Sequence, residues 1–268
     1  MTERVLERPI RPQISISRIV LPTEHGSWSF LLEPLIVGGA IAWSFAAPWI
    51  MLMVVAAFLS RQPLKVYWLA RGNPAAAAVS VRFLLAFLAA AAIGMAATIW
   101  IAPAALYPLA LAGPIAAQQV FADLSRRSRS LVAELAGAAA VSSSAAMLAI
   151  AAGFSVSAAG ALWLIFVCRA VPSILYVRNR LLLEKGKNFA LFLPVISHFI
   201  ALGVCAALAF VGLASFLTVG VFAFLAVRSW FGLSPYRSKM KAMKIGIWEV
   251  VYGAVTVASM IIGYYLGV

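Results

Sequence analysis

Residues 81–102 read VRFLLAFLAAAAIGMAATIWIA, and every residue from Phe83 to Ala102 is uncharged. A helix that spans a bilayer needs about 20 consecutive apolar residues, so this stretch predicts a transmembrane helix. The whole chain has the same character, because 64% of its 268 residues are hydrophobic and 11% are charged. About a quarter of the residues in a soluble domain are charged. We therefore expect a membrane protein.

Eight further apolar segments accompany this one along the chain. The nine are residues 28–46, 48–60, 81–102, 104–122, 131–152, 159–177, 190–212, 214–229 and 245–266. The pattern predicts an all-α, multi-pass protein with nine transmembrane helices. We interpret residues 1–20 as a cytosolic N-terminal arm and residues 21–268 as a single transmembrane domain.

Basic residues lie on alternate connections between these segments. The 21 Lys and Arg residues occur in the N-terminal arm, at residues 61–82, 126–129, 178–187 and 228–244, and at Arg169. The connections between these groups carry no charge. Because basic loops stay in the cytosol, the alternation places the N-terminus in the cytosol and Val268 outside. The expected location is the cell (inner, cytoplasmic) membrane, and the net charge of +13 then reflects topology rather than nucleic-acid binding.

Several classes of function are excluded by what the sequence lacks. The two cysteines, Cys168 and Cys205, lie inside apolar segments and predict neither a disulfide scaffold nor a zinc site. No phosphate loop or haem motif is present. A soluble enzyme, a nucleic-acid-binding protein and a redox protein are therefore excluded, and we predict neither a metal nor a cofactor.

Four ionisable side chains lie inside apolar segments or at their ends, all towards the basic connections. Arg61 follows the second segment, which is only about 18 Å long as a helix. Glu33 lies within the first segment, Arg169 within the sixth and His198 within the seventh. An ionisable group inside a bilayer costs at least ~2.5–3.5 kcal/mol and normally faces a cavity or a partner. We therefore predict a polar chamber that opens to the cytosol.

Arginine and lysine side chains in this chamber predict an anion site, since both bind phosphate and carboxylate groups directly. The candidate headgroup-binding residues share helix faces, and they are Arg61, Lys65, Arg169, Ser173, Tyr176 and Arg180. Positive-inside bias is the alternative explanation for the basic residues among them, Lys65 in particular.

Three side chains are candidates for acid or base catalysis: His25, Glu33 and His198. Each has a structural alternative. Glu33 and His198 could form an intramembrane pair, and His25 could be a hydrogen-bonded residue at the start of the first helix.

Three short motifs resemble the YwiC-like family of bacterial membrane proteins. They are Pro-Thr-Glu-His-Gly-Ser-Trp at 22–28, Arg-Gln-Pro-Leu at 61–64 and Lys-Ile-Gly-Ile-Trp-Glu at 244–249. The opening motif is the most specific. The resemblance implies a multi-pass membrane protein along the length of the chain and brings no biochemical activity with it.

The nine-helix layout also resembles the UbiA prenyltransferase superfamily and predicts a UbiA-like bundle. That resemblance implies Asp-rich motifs after the second and sixth helices, which hold magnesium and a polyprenyl diphosphate. Residues 60–74 contain no Asp or Glu, however, and residues 176–190 contain only Glu184. Magnesium needs carboxylate or phosphate oxygens, so the sequence argues against magnesium-dependent prenyl transfer.

Three functions remain open, and whether the protein is an enzyme is open with them. The first is a chamber that binds an anionic lipid or isoprenoid-like amphiphile, with or without modifying it. The second is a small proton-coupled transporter that uses Glu33, His198 and Arg169. The third is a non-catalytic membrane assembly factor. Membrane lipid is the expected partner, and the sequence indicates no protein partner.

Overall fold

The computed structural model describes residues 16–22, 25–69 and 73–267, without the side chains of Arg18 and His25. Most of the predicted N-terminal arm lies outside these residues. The part that is described, Ile16–Val20, forms a short helix, α1. Ile19 in this helix is buried. Helix α1 packs against the helices at residues 47–69 and 74–101.

The nine predicted segments correspond one to one with nine longer helices, and no strand occurs in the described ranges. The helices are α2 (His25–Ile41), α3 (Ala47–Leu69), α4 (Pro74–Ile101), α5 (Tyr107–Leu124), α6 (Leu131–Ala151), α7 (Val156–Glu184), α8 (Phe192–Phe210), α9 (Phe216–Leu233) and α10 (Ala242–Leu266). Eight of them are long and apolar enough to cross a membrane, and α2 is a shorter apolar helix. The prediction of an all-helical, multi-pass membrane protein is confirmed.

Helix α3, which the second predicted segment forms, is longer than predicted. The apolar run ends before Arg61, yet α3 continues through Pro63 to Leu69. Proline lacks the N–H that would bond the carbonyl of Leu59, but it does not end this helix. Arg61 therefore lies about 21 Å along α3, with more than two helical turns beyond it, rather than at the end of a short helix.

Polar side chains set the starts of four helices. Asn73, Ser130, Ser155 and Ser215 precede α4, α6, α7 and α9, and each accepts a hydrogen bond from a backbone N–H in the first turn. Such caps satisfy amide groups that have no partner within the helix. Pro74 follows Asn73 at the first position of α4, where a missing N–H costs nothing.

The connections before α4, α6, α8 and α10 meet at one end of the bundle, and we call this the basic end. Within the described residues, the connections at the opposite end, 42–46, 102–106, 152–155 and 211–215, contain no Lys or Arg. Exposed aromatic side chains lie near both ends, as is typical of the two interfaces of a membrane protein. They are Trp43, Trp100, Tyr107 and Tyr265 near the opposite end, and Trp68, Trp230, Tyr236 and Trp248 near the basic end.

Small residues allow the inner helices to approach closely. A Cβ on Gly38 of α2 would collide with Leu148 of α6, and one on Gly94 of α4 would lie 2.6 Å from the carbonyl oxygen of Trp49 in α3. Helix α4 packs mainly on α3 and leaves most of its surface to lipid. The helices α2, α6, α7 and α10 instead surround the interior at the basic end.

Candidate functional site

A cavity of about 710 Å³ opens at the basic end of the bundle. It lies between α2, α3, α5, α6, α7 and α10, and its volume is within the range of small-molecule sites. Its walls are mainly apolar, with Phe30, Phe58, Val141, Ile174, Val177 and Ile247 among them. Six charged side chains also line it, and they are Glu33, Arg61, Arg129, Glu134, Arg169 and Glu249.

Arg169 lies deep in this cavity, at the centre of a group of charged side chains. Its side chain is 1% exposed. Nε is 3.7 Å from Oε2 of Glu33 on α2, and Nη1 is 3.7 Å from Oε2 of Glu249 on α10. Nη2 donates to the backbone carbonyl of Glu249 at 3.0 Å, and Nη1 donates to Oγ of Ser173. Arg169 therefore ties α7 to both neighbouring helices.

A second arginine, largely buried, extends this group. Arg228 on α9 donates to Oε1 of Glu249. Its guanidinium lies between two rings, 4.1 Å from the centre of Tyr176 and 4.3 Å from that of Tyr252, where cation–π attraction holds it. We call Glu33, Arg169, Glu249 and Arg228 the charged tetrad. Two carboxylates and two guanidinium groups balance its charge.

The charged tetrad is balanced in charge but not in hydrogen bonds. Oε1 of Glu33, Nε of Arg169, Oε2 of Glu249 and Nη1 of Arg228 are buried without a hydrogen-bond partner. Ion pairs with direct hydrogen bonds are normally 2.7–2.9 Å long, and the two contacts of Arg169 to carboxylate oxygens are longer. Buried polar groups normally find partners, so these four atoms can accept or donate further bonds.

Arg61 forms a separate ion pair across the cavity wall. Its Nε and Nη2 donate to Oδ2 of Asp123 on α5 at 3.0 and 2.8 Å. Nε2 of Gln119 donates to Oδ1 of the same carboxylate at 3.1 Å. Asp123 therefore pairs with a residue 62 positions away in the chain rather than with the neighbouring basic loop at residues 126–129.

The rim of the cavity holds an exposed ion pair and an arginine. Glu134 pairs with Arg178 on α7 at 2.9 Å. Arg129 is exposed and lines the cavity. Among the described residues no carboxylate pairs with its guanidinium.

Three of the six predicted headgroup-binding residues line the cavity: Arg61, Arg169 and Ser173. Lys65 is half-buried one turn beyond Arg61 on α3 and lies outside the cavity lining. Tyr176 packs against Arg228. The predicted set is therefore divided between the cavity and its surroundings.

Arg180 is also outside the cavity lining, at the base of α7 near the basic end. It is buried, and Nη2 pairs with Oε1 of Glu184 at 2.8 Å. Its guanidinium also donates to the backbone carbonyls of Gly232 and Ser238. These contacts fix the connection between α9 and α10, which is a structural role.

The predicted acid and base candidates are in three different situations. Glu33 lines the cavity and contacts Arg169 rather than His198. His198 is buried on α8 outside the cavity lining, with Nδ1 2.8 Å from the carbonyl oxygen of Pro194 and its ring edge-on to Tyr176. The side chain of His25 lies outside the described part of the chain, although α2 begins at that residue.

Three important residues were not among the predicted site residues: Asp123, Arg228 and Glu249. Glu249 gave a usable signal, since it is a single carboxylate about 10 Å into an apolar helix. Arg228 gave a weaker one, because it is one of several basic residues near the end of a helix. Within the described residues, no group of three or more His, Cys, Asp and Glu side chains could hold a metal ion.

Comparison with known proteins gives one family. Residues 21–150 match the model of the family described as YwiC-like protein, which confirms the resemblance over those residues. Neither the curated proteins nor the solved structures gave a match. The UbiA-like bundle stays a prediction.

Proposed function

We propose, from the cavity at the basic end, that this membrane protein binds an anionic amphiphile. In this proposal the protein lies in the cell (inner, cytoplasmic) membrane with its basic end in the cytosol. The amphiphile is a lipid or an isoprenoid-like molecule, and it enters from the cytosolic side.

One observation carries the proposal: a single cavity combines apolar walls with Arg61, Arg129 and Arg169. Ligand sites generally pair apolar walls with a few polar groups that fix orientation. Apolar walls suit a hydrocarbon or isoprenoid chain, and guanidinium groups suit a phosphate or carboxylate.

The arginines retain capacity to bind such a group. A guanidinium has five N–H donors, and Asp123 accepts two of those of Arg61. Arg129 lies at the rim, where it contacts an anion first. Arg169 and Ser173 lie deeper, where an anion that has left water is held more strongly. Binding is the activity that these groups support, and we propose no specific reaction.

The test is binding of dioctanoyl phosphatidylglycerol and farnesyl phosphate to purified protein in neutral detergent. We expect Arg61→Ala/Arg129→Ala to weaken binding of both by at least about tenfold, because a hydrogen bond to a charged group contributes about 1.5–3 kcal/mol. Arg82→Ala is the matched control, since Arg82 is exposed on α4 and is not part of the lining. Equal binding by all three proteins would refute the proposal and favour a non-catalytic assembly role.

Proton-coupled transport is a second candidate, and a second cavity favours it. A cavity of about 410 Å³ at the opposite end is lined by Ile165 and Met260, among others. Ile165, which lines this cavity, and Arg169, which lines the larger one, are one turn apart on α7, about 6 Å along the helix. Liposomes with an internal pH dye test this candidate. Proton-linked flux of an anion should require Glu33, and its persistence in Glu33→Gln would exclude the mechanism.

A further inference from the structure

We infer that binding of an anion at Arg169 is coupled to protonation of Glu33. The inference rests on the proposed function and adds to it a chemical rule for the ligand, which is that the anion enters with a proton. It follows from the charges and the hydrogen bonds of the charged tetrad.

The charge balance of the tetrad provides the first step. Glu33, Arg169, Glu249 and Arg228 carry two negative and two positive charges, and Arg169 is 2% exposed. An anion bound at Arg169 would leave one negative charge uncompensated within the tetrad, since the unpaired cation Arg129 lies at the exposed rim of the cavity. Uncompensated buried charges are costly, and buried groups change protonation to avoid them. One carboxylate of the tetrad must therefore become neutral.

The hydrogen bonds identify which carboxylate this is. The carboxylate of Glu249 accepts a direct hydrogen bond, from Arg228 to Oε1. Among the described residues, the carboxylate of Glu33 has one ion-pair contact, of 3.7 Å to Nε of Arg169, and its Oε1 has no hydrogen-bond partner. Neutralising Glu33 therefore gives up one long contact and no direct hydrogen bond.

The groups around Glu33 are consistent with this assignment. Arg169 on α7 and Glu249 on α10 face it, and Glu134 on α6 and Arg61 on α3 line the same cavity. A Cβ on Gly253 of α10 would collide with its carboxylate, so Glu33 is packed against that helix.

The proton comes from a buffer acid or hydronium ion in the water that fills the open cavity. Its bond to that donor breaks as an O–H bond forms on the Glu33 carboxylate. Nε of Arg169, which has no hydrogen-bond partner, then donates to the incoming anion. Arg169 remains held by Glu249 and Ser173, and no other covalent bond forms or breaks.

Isothermal titration calorimetry with dioctanoyl phosphatidylglycerol tests the coupling, because its phosphodiester does not titrate near neutral pH. Measurements in buffers with different ionisation enthalpies count the protons taken up on binding. We expect an uptake of about one proton per ligand. In the pH range where Glu33 gains its proton on binding, the affinity should rise about tenfold for each unit decrease in pH. Glu33→Gln should bind without proton uptake and with an affinity independent of pH. Glu134→Gln, the matched control on a cavity-lining carboxylate at the rim, should keep the proton uptake.

The outcomes separate this inference from the proposed function. Binding by the wild type without proton uptake, or proton uptake that persists in Glu33→Gln, would overturn the coupling and leave the proposed function intact. No binding of the probe by the wild type would refute both. Thermal unfolding of each variant in detergent confirms that the comparison is made between folded proteins.

Discussion

Arg169 should contribute as much to stability as a large buried apolar side chain, and Arg169→Gln measures its contribution. Each contact of 3.7 Å to a carboxylate oxygen corresponds to about 4.5 kcal/mol of Coulomb attraction at an effective dielectric constant of about 20. The cost of removing Arg169, Glu33 and Glu249 from water offsets much of the summed Coulomb attraction. Removing one partner of a buried ion pair typically costs about 3–5 kcal/mol. We therefore expect Arg169→Gln to lower the free energy of unfolding by about 4 kcal/mol.

The reason for this cost is that Glu33 and Glu249 lose the cation between them, and a second substitution tests that reason. Arg169→Gln/Glu33→Gln should be more stable than Arg169→Gln alone, because Glu249 then retains Arg228 as its partner. The assay is reversible unfolding in mixed micelles with an increasing fraction of sodium dodecyl sulfate. A loss below about 1 kcal/mol for the single variant, or no recovery in the double variant, would contradict the assignment of Arg169 as a charge-balancing residue.

Three further predictions concern packing, cation–π contact and topology. In the same unfolding assay, Gly94→Ala should destabilise the α3–α4 pair by about 1–3 kcal/mol, because the added Cβ would meet the backbone of α3. Gly113 has open space around it, so Gly113→Ala should have no such effect. Arg228→Lys keeps a positive charge between two aromatic rings but loses the planar guanidinium. We therefore expect the free energy of unfolding to fall by about 1–2 kcal/mol. An unchanged free energy of unfolding would mean that the rings contribute little. The topology can be tested by labelling intact cells, with the native cysteines replaced, with a membrane-impermeant maleimide. Arg127→Cys at the basic end should resist the reagent, and Ser157→Cys at the opposite end should react. The reverse pattern would show that the predicted orientation is wrong.

The helices could be predicted from the sequence because lipid imposes a simple requirement. Every spanning segment must be apolar over a length set by the bilayer, and a single sequence displays that pattern directly. The ends of the helices were harder to predict. Helix α3 continues past Arg61 and Pro63, since a helix extends as far as its backbone bonds and its packing allow, and not only as far as its apolar residues.

The location of the site was also visible in the sequence, but its internal contacts were not. Arg61 and Arg169 were predicted to share a chamber because of their depth, and both line one cavity. Their partners, Asp123, Glu33 and Glu249, come from distant positions on other helices. Which helices are neighbours depends on three-dimensional packing, and the pattern of hydrophobic residues along one chain does not contain that information.

The length of α2 links the shape of the cavity to the thickness of the surrounding membrane. Its 17 residues rise about 25 Å, whereas the hydrocarbon layer is about 30 Å thick. Leu32 and Ile36 on this helix are exposed, so lipid beside them must thin or the end of the helix must withdraw below the headgroups. A thin bilayer thus suits α2 without distortion, and a thick one places hydrophobic mismatch on the helix that carries Glu33.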